Sequence, residues 1–297
     1  MKSFFLAVIT IAATVSASCT GGGQLTWTMI NVNYSGQQAD AHLLQLPDGR
    51  NIMIDVGHGS TAEKALIPWL EHHGIKTLDI IFITHPHKDH YGGLNAIMSH
   101  GIGIKEIFFN LPDRQVCDKE RPWGCDYPDV VAMRNRLVRY GAALKSAQPG
   151  LHFDLGANMG LDILYAFDGV HTPVGVTGIN DMSLVMMLRA YGKKILFTGD
   201  LNRKIGGWLA SHDTDLAADV LKVPHHGTEG TVPDSFFAVV QAKIALVPAP
   251  LSLWLSDRSR RIRQWFAQHN VPVYVNGKQG NIQVIIGCNM MKIVTEQ

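Results

Sequence analysis

Four potential metal ligands fall within six residues in His85-Pro86-His87-Lys88-Asp89-His90. They follow directly on residues 78–84 (LDIIFIT), a short, nearly all-apolar run of the kind that forms a strand buried on both faces. Irregular backbone just past such a strand can aim several side chains at one point. At two-residue spacing His85 and His87 point the same way, and Asp89 and His90 face a second point beside the first. Imidazole and carboxylate donors suit zinc, manganese or iron. A chance cluster on a solvated loop is the competing account, and three further strand ends count against it. Thr198-Gly199-Asp200 closes one apolar run, and Asp200 can bridge two ions. Pro224-His225-His226-Gly227 closes another. Asp55, in Ile54-Asp55-Val56-Gly57, closes a fourth strand and reads as a carboxylate that orients a ligand.

The elements that must position these residues can be read from periodicity. Residues 25–33, 41–46 and 51–55 read as strands, and 61–73 as a helix ended by Gly74. Strand 78–84, helix 93–100 and strand 104–109 follow, then a polar insertion, then a helix over 127–140. Strands are expected at 161–166, 183–189, 194–198 and 220–223. Helix 233–241, strand 243–247, helix 257–269 and strand 271–275 come next. Asn276-Gly277 reads as a turn before closing strands at 282–286 and 291–294. A run of strands, then strand–helix alternation, then strands again fits two mixed sheets packed together with helices outside, in one domain over residues 24–297.

Composition narrows the class. The chain has 297 residues, 46% apolar and 17% charged, which excludes a disordered or collagen-like polymer. A formal net charge of +1 gives no overall pull toward nucleic acid or an anionic membrane, so any phosphate recognition must be local. Lys2 followed by the apolar run 4–17 reads as a signal peptide, too short for a bilayer span, with cleavage after Ala17. Ser18-Cys19-Thr20 offers the alternative of a lipoprotein start, with Cys19 as a lipid anchor. Either way the chain is expected to be exported, to a periplasmic or extracellular space. Cys117 and Cys125 bracket the insertion and can staple it as a disulfide in an oxidising compartment. Cys288 is expected either to pair with Cys19 or to stay a buried free thiol.

The His-x-His-x-Asp-His motif with the later Asp200 and His226 resembles the metallo-β-lactamase superfamily, in order and over nearly the whole expected mature chain. Within it, the look is nearest to the lactamase-like domain of ComEC-type DNA-uptake proteins. That nearness is carried by Asn180-Asp181-Met182-Ser183, Phe197-Thr198-Gly199-Asp200-Leu201 and Leu221-Lys222-Val223-Pro224-His225-His226-Gly227. Exported phosphorylcholine esterases of the same superfamily share the paired-histidine pattern. The resemblance implies an α/β fold, a four-layer αββα sandwich of two mixed sheets with the metal site at one edge. It implies two divalent ions, zinc or manganese: His85 and His87 on the first, Asp89, His90 and His226 on the second, Asp200 bridging. It makes Asp89 and His225 the catalytic candidates, His225 facing the substrate, with Asp55, Asn180 and Ser183 as supports. Which of the adjacent His225 and His226 is the ligand stays open in the sequence. Two departures stand out. Many members supply a third histidine to the first ion where this chain reads Asn180-Asp181-Met182-Ser183, and His171 nearby reads as an ordinary loop histidine. Residues 251–256 (LSLWLS) replace the Gly-His-Pro turn of the ComEC-like pattern.

Two such ions about 3.5–4 Å apart hold a bridging hydroxide at neutral pH and neutralise attacking and leaving oxygens, which suits phosphodiester hydrolysis. The expected activity is therefore an exported, metal-dependent phosphodiesterase or nuclease-like hydrolase. The alternatives are a lactonase or β-lactamase, and a non-catalytic surface binding module. The bridging Asp200 and the missing histidine count against the lactam chemistry. Arg258, Arg260, Arg261 and Arg263 read as a solvated helix face, with phosphate contact as the alternative. Trp254 and Trp265 read as core, and Lys88 and Tyr91 as pocket lining.

Overall fold

Side chains alternate across a strand, and this chain uses both sides. In β3 (Asn51–Val56) Ile52 and Ile54 enter one apolar cluster and Met53 enters another. In β4 (Thr77–Ile83) Phe82 joins the first set, and Ile81 and Ile83 the second. In β9 (Val185–Ala190) Met186 and Leu188 meet that first set from the opposite side, while Val185 and Met187 face a third cluster. Three apolar layers result, and they require two sheets face to face with helices outside.

The computed structural model describes residues 23–33, 36–156, 158–212 and 215–296. The signal segment and Cys19 lie outside these residues. The first sheet also holds β1 (Leu25–Met29), β2 (Ala41–Gln45), β5 (Gly103–Phe109), β6 (Ala143–Lys145), β14 (Asn281–Gly287) and β15 (Met290–Glu296), in the order β15-β14-β1-β2-β3-β4-β5-β6. The second holds β7 (His152–Gly156), β8 (Met159–Tyr165), β10 (Lys193–Phe197), β11 (Val220–Lys222), β12 (Ile244–Val247) and β13 (Val273–Val275), in the order β13-β12-β11-β10-β9-β8-β7. In each sheet an antiparallel part leads into parallel strands: β3-β4-β5-β6 in one, β10-β11-β12-β13 in the other. Trp27 and Phe197 join the sheets through an edge-on ring contact at 4.8 Å. Helices Leu94–Ser99 and Tyr127–Tyr140 cover the first sheet, and Asp234–Val240 and Arg260–Gln268 the second. This is the expected αββα sandwich.

The carboxyl ends of β3, β4, β10 and β11 carry Asp55, His85, Asp200 and the His225-His226 pair. Open α/β sheets place ligands beyond such strand ends. Among the described residues no helix is long and apolar enough to cross a membrane.

The structure adds elements that periodicity did not show. β6 and β7 are edge strands with mostly exposed or half-buried residues, so no alternation marks them. Helix Arg203–Ser211 contains Gly206 and Gly207, poor helix formers. Gly206 is needed there because a Cβ would stand 2.4 Å from Val232 Cγ1. The insertion contains a helix, Arg114–Lys119, and residues 251–256 contain another, Leu251–Leu255. Asn276-Gly277 opens a one-turn helix, Asn276–Gln279, instead of a simple turn. The 61–73 helix includes a π-helical stretch, Ala62–Leu66. Cys117 and Cys125 are joined by a disulfide. Cys288 is disulfide-bonded too, which corrects the free-thiol alternative. Trp254 and Trp265 are packed in the core of the second sheet's helices.

Candidate metal centre

The centre begins with a backbone constraint. Asp55 sits at φ +56°, a left-handed conformation unusual for a residue with a side chain. Its carboxylate accepts from Thr84 N and Thr84 Oγ1, both at 2.8 Å, so it fastens the start of the histidine motif to the neighbouring strand. The motif then turns tightly, His87 N donating to His85 O at 3.0 Å, and closes with the helical turn Lys88–Tyr91. Opposite it, Gly199 at φ +49° allows the Thr198-Gly199-Asp200 turn to lie against Ser183. A Cβ there would stand 2.5 Å from Ser183 Oγ, which accepts from Asp200 N at 2.8 Å. His225 and His226 are both left-handed, at φ +50° and +52°, and this sends the two adjacent rings to different places.

In His85, His87, His90 and His226 one imidazole nitrogen is committed to the scaffold. Thr84 gives its hydroxyl proton to Asp55, so it accepts from His85 Nδ1 at 3.1 Å. His90 Nδ1 donates to Asp55 Oδ2 at 2.8 Å, and His226 Nδ1 to Pro248 O at 2.8 Å. His87 Nε2 donates to Glu120 Oε2 at 3.1 Å. The remaining nitrogens converge. His90 Nε2 and His226 Nε2 lie 3.3 and 3.2 Å from Asp200 Oδ2, and His226 Nε2 lies 3.4 Å from Asp89 Oδ2. Ligand atoms of Asp89, His90, Asp200 and His226 all fall within 4.8 Å of one another. Beside them His85 Nε2 and His87 Nδ1 are 3.1 Å apart, and the His85 ring lies 4.1 Å from that of His90.

The electrostatics favour a cation at this point. Burial alone would remove the proton from His90, but Asp200, Asp55 and Asp89 hold its imidazole well above the usual histidine range. His226 is likewise buried and held well above that range, by Asp200 and Asp40. Against the same desolvation, His226 and His90 pull Asp200 well below the ordinary carboxylate range. His90 Nε2, His226 Nε2 and Asp200 Oδ1 are buried without an aligned hydrogen-bond partner. Protons on those nitrogens are poorly served there. A divalent ion taking the lone pairs satisfies nitrogens and carboxylates together, so the donor set fits one.

The other expected residues sit as follows. His225 is not part of the converging cluster. Its Nδ1 donates to Asn202 Oδ1 at 2.9 Å and its Nε2 faces the Asn180 amide at 3.4 Å. Burial lowers its pKa, so the ring is neutral at pH 7. Asn180 thus meets His225, while Ser183 Oγ lies 3.3 Å from His85 Nδ1. Asp89 and Asp200, with His87, His225, Trp123 and Arg258, line a cleft of about 430 Å³. Three of the four helix arginines are engaged: Arg260 with Asp257, Arg261 with Asp234, and Arg263 with the carbonyls of Trp254 and Ser256. Lys88 and Tyr91 line a separate surface pocket, and His171 pairs with Asp168 on an exposed loop.

Sequence reasoning missed Asp40, Lys222, Glu120 and Asn202. Lys222 carried a signal, a lone charge in an apolar strand directly before the Pro-His-His-Gly turn. Asp40 precedes a strand with no marking pattern, and Glu120 lies in an insertion with none.

Comparison with known proteins agrees with this architecture. Residues 34–105 match the family model of the metallo-beta-lactamase superfamily. ComE operon protein 3 of Bacillus subtilis (strain 168) is 26% identical over 224 residues, covering 75% of this chain and 26% of that protein. Endoribonuclease YSH1 of Saccharomyces cerevisiae is 25% identical over 198 residues, covering 61% of this chain and 24% of that protein. The chain therefore spans about a quarter of the length of these curated relatives. The crystal structure of the metallo-beta-lactamase fold protein YhfI from Bacillus subtilis superposes with a TM-score of 0.53 at 12% identity, covering 85% of this chain and 96% of that one. With a His/Asp cluster able to hold metal beyond its strand ends, the chain has the metallo-β-lactamase fold, matches that superfamily's model over residues 34–105 and is similar to ComE operon protein 3.

Proposed function

We propose that this chain hydrolyses phosphodiesters at a two-metal centre. The observation that carries the reading is the convergence of Asp89, His90, Asp200 and His226, with His90 Nε2 and His226 Nε2 buried and unserved. His85 and His87 would hold a first divalent ion and Asp89, His90 and His226 a second, with Asp200 shared. Bound there, such ions supply an activated water and neutralise charge on the phosphate. The protein's own part is to fix the donors and to move a proton. The neutral His225 lines the cleft with its Nδ1 proton committed to Asn202, which leaves Nε2, beside the Asn180 amide, as the nitrogen to take up and pass on a proton. Two relatives named for action on RNA support the substrate class: endoribonuclease YSH1, and ribonuclease Z of Clostridium botulinum (strain Alaska E43 / Type E3), 36% identical over 75 residues that cover 25% of this chain and 18% of that protein. The zinc or manganese identity of the ions belongs to the same proposal. So does export, for which the N-terminal apolar run and the Cys117–Cys125 disulfide speak.

The test is turnover of a chromogenic phosphodiester by the chain loaded with zinc or manganese, beside Asp200→Ala. Metal-dependent turnover lost in the variant supports the proposal. Turnover unchanged by the substitution sinks the two-metal centre, and no turnover with metal bound moves the search to lactones and lactams.

A further inference from the structure

Of the four committed imidazole nitrogens, three are held by the sandwich itself: through Thr84, Asp55 and the carbonyl of Pro248. The fourth, His87 Nε2, is held by Glu120, which comes from the insertion between β5 and helix Tyr127–Tyr140. Glu120 lies inside the ring closed by Cys117 and Cys125 and is tied to both ends of it. Glu120 N donates to Cys117 O at 2.9 Å, and Cys125 N donates to Glu120 O at 3.4 Å. Both half-cystines are fully buried.

The carboxylate is seated on two sides. Oε2 accepts from His87 and Oε1 accepts from Ile179 N at 3.0 Å, beside the Asn180 that meets His225. Gly178 leaves room for this, since a Cβ there would stand 2.6 Å from Glu120 Oε1. Gly124, in the same ring at φ +113°, lies against the backbone of Lys88 within the histidine motif.

We propose that the disulfide-closed loop 117–125 is a redox-sensitive support for the first metal position, with Glu120 as its positioning residue. The proposal rests on the two-metal reading above. By accepting the Nε2 proton, Glu120 fixes His87 in the tautomer whose Nδ1 lone pair faces His85 Nε2. Reduction, in which a dithiol reagent is oxidised and Cys117 and Cys125 each gain a hydrogen, opens the ring that holds Glu120. The second position, built from Asp89, His90, Asp200 and His226, has its supports in the sandwich and keeps them.

The experiment titrates zinc into the full chain against a chromophoric chelator. It also records the imidazole nitrogens of the metal-free chain by long-range ¹H–¹⁵N NMR. The native chain should take two equivalents. Glu120→Gln should weaken one of them by roughly 10–100-fold and leave the other unchanged. Gly178→Ala, which displaces the carboxylate without touching a ligand, and the Cys117→Ser/Cys125→Ser pair should weaken the same equivalent. Adding Glu120→Gln to the serine pair should cost little more, because both act on one contact. In the NMR spectrum His87 should be the Nε2–H tautomer in the native chain and lose that preference in the variants. Two unchanged equivalents and an unchanged tautomer in Glu120→Gln overturn the proposal. A loss in Glu120→Gln that the serine pair does not reproduce overturns its redox half. If the native chain takes no zinc, the hydrolase reading fails, and the His87 tautomer alone decides for or against Glu120.

Discussion

Lys222 and Asp40 form an ion pair directly beside the metal cluster, neither residue more than 1% exposed. Lys222 Nζ also donates to Gly199 O at 2.7 Å and stands 3.7 Å from Asp200 Oδ1. Asp40 Oδ1 in turn lies 3.4 Å from His226 Nδ1. One ammonium thus offsets part of the charge of a carboxylate-rich interior and anchors the turn that presents Asp200. Breaking a buried pair from one side strands the other charge, so Lys222→Met should cost about 3–5 kcal/mol of unfolding free energy. Lys222→Met with Asp40→Asn should cost less than the sum of the two single changes. Urea unfolding of the three variants checks this, and strict additivity would refute the pairing.

The two adjacent histidines should separate by phenotype. His226→Ala should remove one equivalent of metal together with turnover. His225→Ala should keep both equivalents and lower kcat by roughly 10²–10⁴, the usual range for a lost proton-transfer group. Metal analysis beside steady-state kinetics decides it, and the reverse pattern would exchange the two roles.

Metal uptake should release protons. His90 and His226 are held well above the usual histidine range, so both carry protons at pH 7 before an ion arrives. An ion needs those lone pairs, so affinity should rise with pH, and about two protons should leave per loaded centre at neutral pH. Calorimetry in two buffers of different ionisation enthalpy counts them. No release at pH 7 would contradict the charge state described here.

Stability should carry a mark of Asp181. Burial pushes its carboxyl up to about 6, although Asn202 N donates to it at 3.0 Å. An unfolded aspartate titrates near ~3.9, so the folded chain binds the extra proton between the two values. That contribution is present below about pH 4 and is lost as pH rises through about 6. Asp181→Asn should therefore gain on the native chain by on the order of 2–3 kcal/mol between pH 4 and pH 7. Denaturant curves at the two pH values measure the difference, and a pH-independent offset would show that Asp181 is not perturbed.

The ligand motifs were legible because they follow apolar strands with strong patterns: residues 78–84, 194–198 and 220–223 mark β4, β10 and β11 almost to the residue. Helix Tyr127–Tyr140 was legible from its pattern, and the structure ends it at Gly141, at φ +99°. What stayed hidden acts across sequence. Glu120 and His87 are 33 residues apart, and nothing in the polar insertion distinguishes Glu120 from its charged neighbours. Asp40 is defined by Lys222, far along the chain. Edge strands β6 and β7 and the glycine-containing helix Arg203–Ser211 escaped because propensity is weak where packing decides.

Each sheet supplies only part of the donor set: the histidine motif follows a strand of one, and Asp200 and His226 follow strands of the other. An ion seated among them would act as a rivet between two plates. While it stays, the ligands it ties hold the plates together at that edge, and each parting of the plates loosens its hold. Its rate of escape to a strong chelator would then be a clock for the breathing of the sandwich. Substitutions at the Trp27–Phe197 contact, neither of whose rings is a ligand, should make that clock run faster.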